Sequence, residues 1–258
     1  MTTARLTEFG DTRNPVATER QLANPPLREA LIDIQLADEL PIQFAEGLEK
    51  QTINGLERKL QIRAGKFEIK IGLPQEALKK SEELLGWCYE SADGSRVAQI
   101  RRNGLTYSIL RDYKDWPEIR DATRSFWGFY LGQVHRPVTV ARAAARYFNV
   151  LELPPSVELN NYLTAAPQIP QGLPQTLENF LQRIVIPYQG NIHAIITQAL
   201  EPAAQPGTRV ILDIEVFAQQ LTVQGESPDL WNLVDTFRGI KNAIFFTSLT
   251  EAALERYA

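Results

Sequence analysis

The chain has 258 residues, of which 44% are hydrophobic and 22% are charged, with 15 Gly and 16 Pro. This length can bury a substantial core, and the composition excludes a disordered or fibrous chain. The 27 basic and 31 acidic residues give a net charge of −4, which argues against a non-specific nucleic-acid binder held by a general positive field. The single cysteine, Cys88, excludes an internal disulfide framework and a cysteine-rich zinc site.

The amino-terminal residues 1–24 mix Thr, Arg, Glu and Asn without an apolar period, and they predict a flexible arm. No apolar signal-peptide core follows the first basic residue. No window approaches the roughly 18 uninterrupted apolar residues of a membrane span. We therefore expect a protein of the reducing cytoplasm that has no membrane partner.

Residues 25–153 predict the first of two α+β halves. Its first strand is indicated by Ala30, Ile32 and Ile34, which alternate with mostly polar neighbours. An amphipathic helix is predicted around Pro41, because apolar residues recur at every fourth position there.

Turn signals divide the middle of this half. The alternating run around Ala64-Gly65 predicts a hairpin that turns at this dipeptide, and a short helix is predicted over 74–86. Asp93-Gly94 and Asn103-Gly104 then predict two turns between three strands, because both dipeptides tolerate positive φ.

A helix over 116–135 and a strand that ends before Pro154 complete the first half. The helix carries more aromatic residues, Trp127 among them, than one buried stripe needs. Two interpretations stay open: the helix is buried on both sides, or its aromatic residues form a surface for a protein partner or a second copy.

Residues 154–176 hold five prolines and predict a connection, with a short helix over 157–163. Residues 177–258 predict the second half, with three strands and a long helix that Ser227 caps. Hairpin turns dominate over crossover units. The predicted fold class is therefore α+β, with two meander-plus-helix halves that form antiparallel sheet, long helices packed on one face, and the halves joined in one compact unit.

Two arginines on the last strand of the first half are candidate binding residues. Arg142 and Arg146 are four apart, so they project from the same strand face, and Ala144 leaves room between them. Such a pair suits a phosphate or a carboxylate. The alternative is that they form ion pairs with carboxylates of neighbouring strands. The carboxylates available are those of Glu29, Asp33, Asp213 and Glu215.

Asp213 and Glu215 share one face of a strand in the second half, and carboxylates at this spacing can bridge Mg²⁺. They are the candidate residues of a metal-assisted phosphodiesterase, although no further acid or lysine stands nearby in the sequence. The chain has no phosphate-binding glycine loop, zinc-protease motif or hydrolase elbow. We therefore expect no cofactor, and buried packing for Cys88 rather than a nucleophilic role.

Several groups of residues carry a family resemblance. They are Asn24 to Ala30; Asp93, Gly94, Ser95, Gln99, Gly104, Leu105, Ser108, Leu110, Tyr113 and Trp116; Arg142 to Asn149; Leu212 to Phe217; and Lys241 to Phe246, Ser248, Thr250 and Glu251. With them the chain resembles, from about Asn24 onward, a sporadically distributed, uncharacterised prokaryotic protein family of about this length. Ala144 departs from that family, which tends to have glycine there.

The resemblance implies more about fold than about activity, and it implies no reaction, cofactor or catalytic residue. The patchy distribution of the family implies an association with defence or toxin–antitoxin genes. We expect a non-catalytic binding protein of the prokaryotic cytoplasm whose partner is a protein, a second copy or a small anion. The alternatives are the phosphodiesterase and a carrier of apolar ligands.

Overall fold

The computed structural model describes residues 17–68, 79–201 and 207–258. The strands in these ranges are β1 (Leu27–Leu36), β2 (Arg58–Glu68), β3 (Lys79–Glu90), β4 (Arg96–Arg101), β5 (Gly104–Ile109), β6 (Thr139–Leu153), β7 (Leu181–Pro187), β8 (Ile192–Glu201) and β9 (Thr208–Gln224). The helices are α1 (Ile42–Gly47), α2 (Trp116–Gln133), α3 (Pro228–Ser248) and α4 (Glu251–Leu254), and short 3-10 turns lie at Leu48–Lys50 and Leu159–Asn161.

These strands form one antiparallel sheet in the order β2-β3-β4-β5-β1-β6-β9-β8-β7. The first strand in the chain, β1, is therefore the central strand. Its residues Ala30, Ile32 and Ile34 are fully buried, which confirms the alternation predicted from the sequence. An antiparallel sheet with a few helices is the α+β class that the sequence predicts.

The two long helices contact the sheet and each other. Helix α2 contacts β5 and β1, and helix α3 contacts β9 and β6. Between the helices, Trp116 Nε1 donates to Asp235 at 2.9 Å, and Arg120 donates to the same carboxylate through Nε at 2.8 Å and Nη2 at 2.9 Å. None of the helices described has the length and apolar character that crossing a membrane requires.

Both predicted glycine turns are confirmed as the β3–β4 and β4–β5 hairpins. Gly94 has φ +70° and Gly104 has φ +146°. A Cβ atom at Gly104 would lie 2.0 Å from the carbonyl oxygen of Ile34 on β1, whereas one at Gly94 would meet nothing within 4 Å. Glycine at 104 is therefore required twice, once by the turn and once by the close approach of β1.

Two predictions for the segment before these hairpins are wrong. Strand β2 continues through Ala64-Gly65 without turning, and residues 79–86 belong to β3 instead of a helix. The cause is tertiary: β2 and β3 pair from Arg58–Glu90 to Glu68–Lys79, and this ladder overrides a helical pattern of barely two turns. The remainder of both predictions, at 69–78, lies outside the described residues.

The proline-rich connection contains less helix than predicted. Only the 3-10 turn Leu159–Asn161 forms within 157–163, and Leu163 bridges to Leu249 beyond α3. The strands before and after the connection meet where β6 pairs with β9, so they lie in the same sheet. The domain boundaries at 24, 153 and 176 stay predictions.

Candidate functional site

The two arginines on β6 form ion pairs with carboxylates on the neighbouring strands. Arg146 donates to both oxygens of Asp213, from Nε at 2.8 Å and from Nη2 at 2.7 Å. Arg142 donates to Glu215 and, at 3.2 Å, to Asp33. Ala144 between them is buried beneath this network. Of the four carboxylates that the sequence offers as possible ion-pair partners, the structure places all but Glu29 against these arginines.

Asp33 is the centre of this network. Its carboxylate accepts from Arg101 at 2.9 Å and from the Thr106 hydroxyl at 2.5 Å, in addition to Arg142. Three guanidinium groups and three carboxylates thus balance one another on this sheet face. Glu29 forms no ion pair with the described residues. The hydrogen bonds to Asp213 and the charge of that carboxylate raise the pKa of Arg146, and the charges of Glu215 and then Glu29 add to the shift.

The arginines around the Asn103-Gly104 turn do not lie at an edge of the sheet. Their strands, β4 and β5, lie inside it, and among the described strands the edges are β2 and β7. Arg101 binds Asp33, and Arg102 donates to Glu83 and to the Leu40 carbonyl oxygen at 2.7 Å. These side chains hold strands and loops together.

The described residues bring no third ligand to Asp213 and Glu215: they contain no group of three His, Cys, Asp or Glu side chains that could hold a metal ion. The guanidinium groups of Arg146 and Arg142 already occupy these two carboxylates. This arrangement favours a structural charge network over a cation site.

Trp127 does not lie on an exposed helix surface, so the interpretation of it as a partner contact is wrong. Its side chain is 2% exposed, its Nε1 donates to the Gly225 carbonyl oxygen at 2.7 Å, and its ring stacks on Tyr130. The exposed face of α2 instead carries small and polar residues such as Arg124 and Gly128. The wide sheet beneath this helix provides the room for its aromatic residues.

Cys88 is half-buried next to Glu90, and burial, reinforced by that carboxylate, raises the pKa of its thiol to about 11. A thiol with this pKa is protonated at neutral pH and a poor nucleophile. His193 stacks on Phe217 with ring centroids 5.5 Å apart. These residues serve packing.

The structure adds a site that sequence reasoning missed, a cavity of about 310 Å³ beside helix α3. Four parts of the chain line it: the segment 19–27, the start of α2, strand β6 and helix α3. The lining residues are Glu19, Arg20, Gln21, Leu22, Pro25, Leu27, Tyr113, Lys114, Asp115, Trp116, Tyr147, Asn149, Arg238, Lys241, Asn242, Phe245 and Phe246. We call this space the Lys241 cavity.

Two tyrosines form one wall of the Lys241 cavity. The hydroxyl groups of Tyr113 and Tyr147 are 3.0 Å apart, and their rings meet edge to face at 5.7 Å. Burial raises the pKa of both, that of Tyr147 well above its ordinary value, so both hydroxyls are neutral. One hydroxyl hydrogen joins the pair and the other is available to a ligand. Asn149 positions this wall by donating to the Tyr147 and Leu212 carbonyl oxygens.

Lys241 is the cation at the centre of the cavity wall. Its Nζ lies 3.9 Å from the centroid of the Tyr147 ring. Among the described residues no carboxylate lies within ion-pair distance of this amine. Burial and, after it, the charge of nearby Arg238 lower its pKa to about 7, and the charge of Glu19 opposes this shift.

Three of the four cations that line the cavity have no carboxylate partner in the described residues: the exposed Lys114, Arg238 and Lys241. Arg20 pairs with Glu251 at 2.7 Å, whereas Arg238 and Lys241, one helical turn apart on α3, have no such pair. The two lining carboxylates are already engaged. Asp115 accepts from the backbone of α2, and Glu19 accepts from Asn242. A chain with a net charge of −4 therefore carries a locally positive pocket.

The sequence contains one signal for this site. On α3, apolar Val234, Phe237, Ile244 and Phe245 form a buried face, and Lys241 falls among them at helical spacing. A lysine at a core position needs a partner or a function. Among the residues that carry the family resemblance, the following line the cavity: Pro25, Leu27, Tyr113, Trp116, Tyr147, Asn149, Lys241, Asn242, Phe245 and Phe246.

Comparison with known proteins adds no family. No protein-family model matches the chain, and no curated protein matches it. The family resemblance stays an expectation.

Proposed function

We propose that the protein is a non-catalytic binding protein of the prokaryotic cytoplasm, and that its ligand is a small molecule with an acid group, held in the Lys241 cavity. The observation that carries this proposal is the pair of cations, Arg238 and Lys241, without a carboxylate partner in the part of the chain that is described. A bound carboxylate or phosphate supplies the missing charge.

The rest of the lining defines the body of the ligand. Aromatic rings of Tyr113, Trp116 and Phe245 favour an apolar or aromatic group next to the acid. A volume of about 310 Å³ is at the small end of the range for ligand sites, which fits a compact molecule. An arylalkanoate such as 3-phenylpropanoate combines these properties and is the first probe to use.

Isothermal titration calorimetry with 3-phenylpropanoate tests the proposal. We expect saturable binding that Arg238→Gln weakens by about tenfold or more, since a charge-assisted hydrogen bond is worth roughly 1.5–3 kcal/mol. Arg124→Gln, which removes an exposed arginine of α2 away from the cavity, should leave the affinity unchanged. The neutral amide of the same compound should bind weakly. Equal binding of acid and amide, or no binding of either, would overturn the proposal.

The alternatives from the sequence have less support. The Asp213 and Glu215 carboxylates of the phosphodiesterase interpretation are engaged by arginines. A carrier of purely apolar ligands does not need two cations in its pocket.

For the fold, we propose that α2 and α3 cover the sheet face that bears Tyr107 and leave the arginine face open. Tyr107 stacks on Phe126 of α2, and side chains alternate along β5.

We also propose that β7 pairs with the same strand of a second copy, which makes the protein a homodimer. Within the described part of the chain, β7 is an edge of the sheet, and its backbone groups on the side away from β8 have no strand partner there. Of the seven large apolar side chains exposed among the described residues, four lie in or beside this strand. They are Leu181, Ile184, Val185 and Tyr188.

The sequence of β7 suits antiparallel pairing about a twofold axis at Ile184. In this register its one charged residue, Arg183, lies opposite Val185 of the other copy, so the two copies of Arg183 do not face each other. Sedimentation equilibrium should give a dimer that Val185→Lys dissociates, while Leu60→Lys on the opposite edge strand β2 has no effect. A monomeric wild-type protein, or equal effects of both substitutions, would overturn this assignment.

A further inference from the structure

The surroundings of the Lys241 amine suit a nucleophile as well as a cation that binds an anion. It lies inside a cavity against the face of the Tyr147 ring. The charged and titratable groups that face it are Arg238 on its own helix, Glu19 from the amino-terminal segment, and the Tyr113 and Tyr147 hydroxyls. The two acidic lining residues are already engaged: Glu19 accepts from the Asn242 side chain, and Asp115 accepts from the Glu118 amide of α2.

Lysine becomes nucleophilic when it is desolvated in an apolar pocket or placed next to another cation. Both conditions hold here, because the buried amine lies against the Tyr147 ring and Arg238 lies one turn away on α3. With a pKa of about 7, on the order of half of the amine is neutral at pH 7. An exposed lysine with a pKa near 10.4 is neutral about a thousandfold less often at that pH.

We propose that Lys241 captures the carbonyl group of a small oxo acid as an imine, while Arg238 holds the acid group. The proposal rests on the proposed function, because it uses the same cavity and the same anion. It adds the ligand class: an acid that carries a ketone or aldehyde close to its carboxylate.

The reaction balances without an oxidant or reductant. The nitrogen lone pair of Lys241 forms a bond to the carbonyl carbon, the amine releases its two protons, and the carbonyl oxygen leaves with them as water. The Tyr113–Tyr147 hydroxyl pair retains one hydrogen that its own hydrogen bond does not use. That hydrogen provides a neutral proton donor in the cavity for the departing oxygen.

The experiment uses the full chain, phenylpyruvate as the oxo acid and sodium cyanoborohydride to trap an imine as a stable secondary amine. Intact-mass and peptide analysis should find one adduct, located at Lys241. Lys241→Met should lower the labelling at least about tenfold, because the remaining lysines are mostly protonated near neutral pH. Lys50→Arg changes an exposed lysine that does not line the cavity and should leave the adduct intact. Circular dichroism checks that both variants are folded.

Two competitors separate this proposal from the proposed function. The non-carbonyl acid 3-phenylpropanoate should suppress labelling, and neutral phenylacetaldehyde should label Lys241 more slowly than phenylpyruvate. If 3-phenylpropanoate binds in calorimetry but phenylpyruvate gives no adduct at Lys241, the imine proposal fails and the binding proposal stands. If neither compound binds, the proposed function fails. Labelling spread over surface lysines, or unchanged in Lys241→Met, would also overturn the imine assignment.

Discussion

The Nζ of Lys241 lies 3.9 Å from the centroid of the Tyr147 ring, so a lysine of α3 is held against the central part of the sheet by an aromatic face. A cation–π contact of this kind is worth about 0.5–2 kcal/mol, less than the cost of desolvating an unpaired ammonium. The position therefore penalises the charged amine. This penalty should be measurable as a dependence of stability on pH.

Lys241→Met should remove a pH dependence of folding. In the folded chain burial lowers the pKa of the amine to about 7, and in the unfolded chain it returns to 10.5. Between these pH values the unfolded state binds more protons than the folded state, so the free energy of unfolding of the wild-type protein increases as pH rises. Below pH 7 the amine is charged in both states, and the full cost of burying that charge lowers stability. The stability advantage of Lys241→Met should therefore be largest at about pH 6.5 and shrink towards about pH 9.

Urea unfolding of both proteins at several pH values tests this prediction. The groups that face Lys241, namely Arg238, Glu19, Tyr113 and Tyr147, are present in both proteins and cancel in the difference. A pH-independent difference for Lys241→Met would contradict the lowered pKa.

Asp33→Ala should be among the most destabilising substitutions on the arginine face. Asp33 is 8% exposed and accepts from Arg101, Arg142 and Thr106. Its loss leaves two guanidinium groups and a hydroxyl without their shared acceptor, which should cost about 3–5 kcal/mol. Glu29→Ala is the matched control on the same strand and should change stability by less than about 0.5 kcal/mol. Chemical denaturation measures both, and equal effects would refute the central role of Asp33.

The elements of this fold that the sequence predicts are those set by patterns of neighbouring residues. Alternation identifies β1, the glycine dipeptides identify two turns, and Ser227 identifies the start of α3, where its side chain accepts from the Asp229 amide. Each of these signals acts over a few residues. The segment 79–86 is the counterexample, since its helical pattern is overridden by pairing with β2.

Side-chain contacts between residues that are distant in the sequence could not be predicted. Period two places Arg142 and Arg146 on one face, but the strand register decides what they meet. Arg146 stands opposite Glu215 in the β6–β9 ladder, yet its guanidinium reaches diagonally to Asp213. The Lys241 cavity is assembled from four separate parts of the chain. The signal for it in the sequence is Lys241, a lysine at a position on the apolar face of α3.

Gly104→Ala should destabilise the protein far more than Gly94→Ala. A Cβ at Gly104 would lie 2.0 Å from the Ile34 carbonyl oxygen, which forces β5 and β1 apart. We expect a loss above about 3 kcal/mol there, and about 1–2 kcal/mol at Gly94, where only the positive φ opposes alanine. Urea midpoints of the two variants give the comparison. Similar losses at both turns would contradict the close packing of β1 against the β4–β5 hairpin.

Cys88 should react slowly with iodoacetamide in the folded protein. Burial raises the pKa of its thiol from 9.0 to about 11, so the thiolate fraction at pH 8 falls about a hundredfold. Because the chain has a single cysteine, the mass shift reports this residue alone. Protein unfolded in urea is the reference and should alkylate about a hundredfold faster, whereas Glu90→Gln, which removes the nearest negative charge, should accelerate the folded protein only modestly. Equal rates in the folded and unfolded protein would mean that Cys88 is open to solvent, and would restore it as a candidate nucleophile.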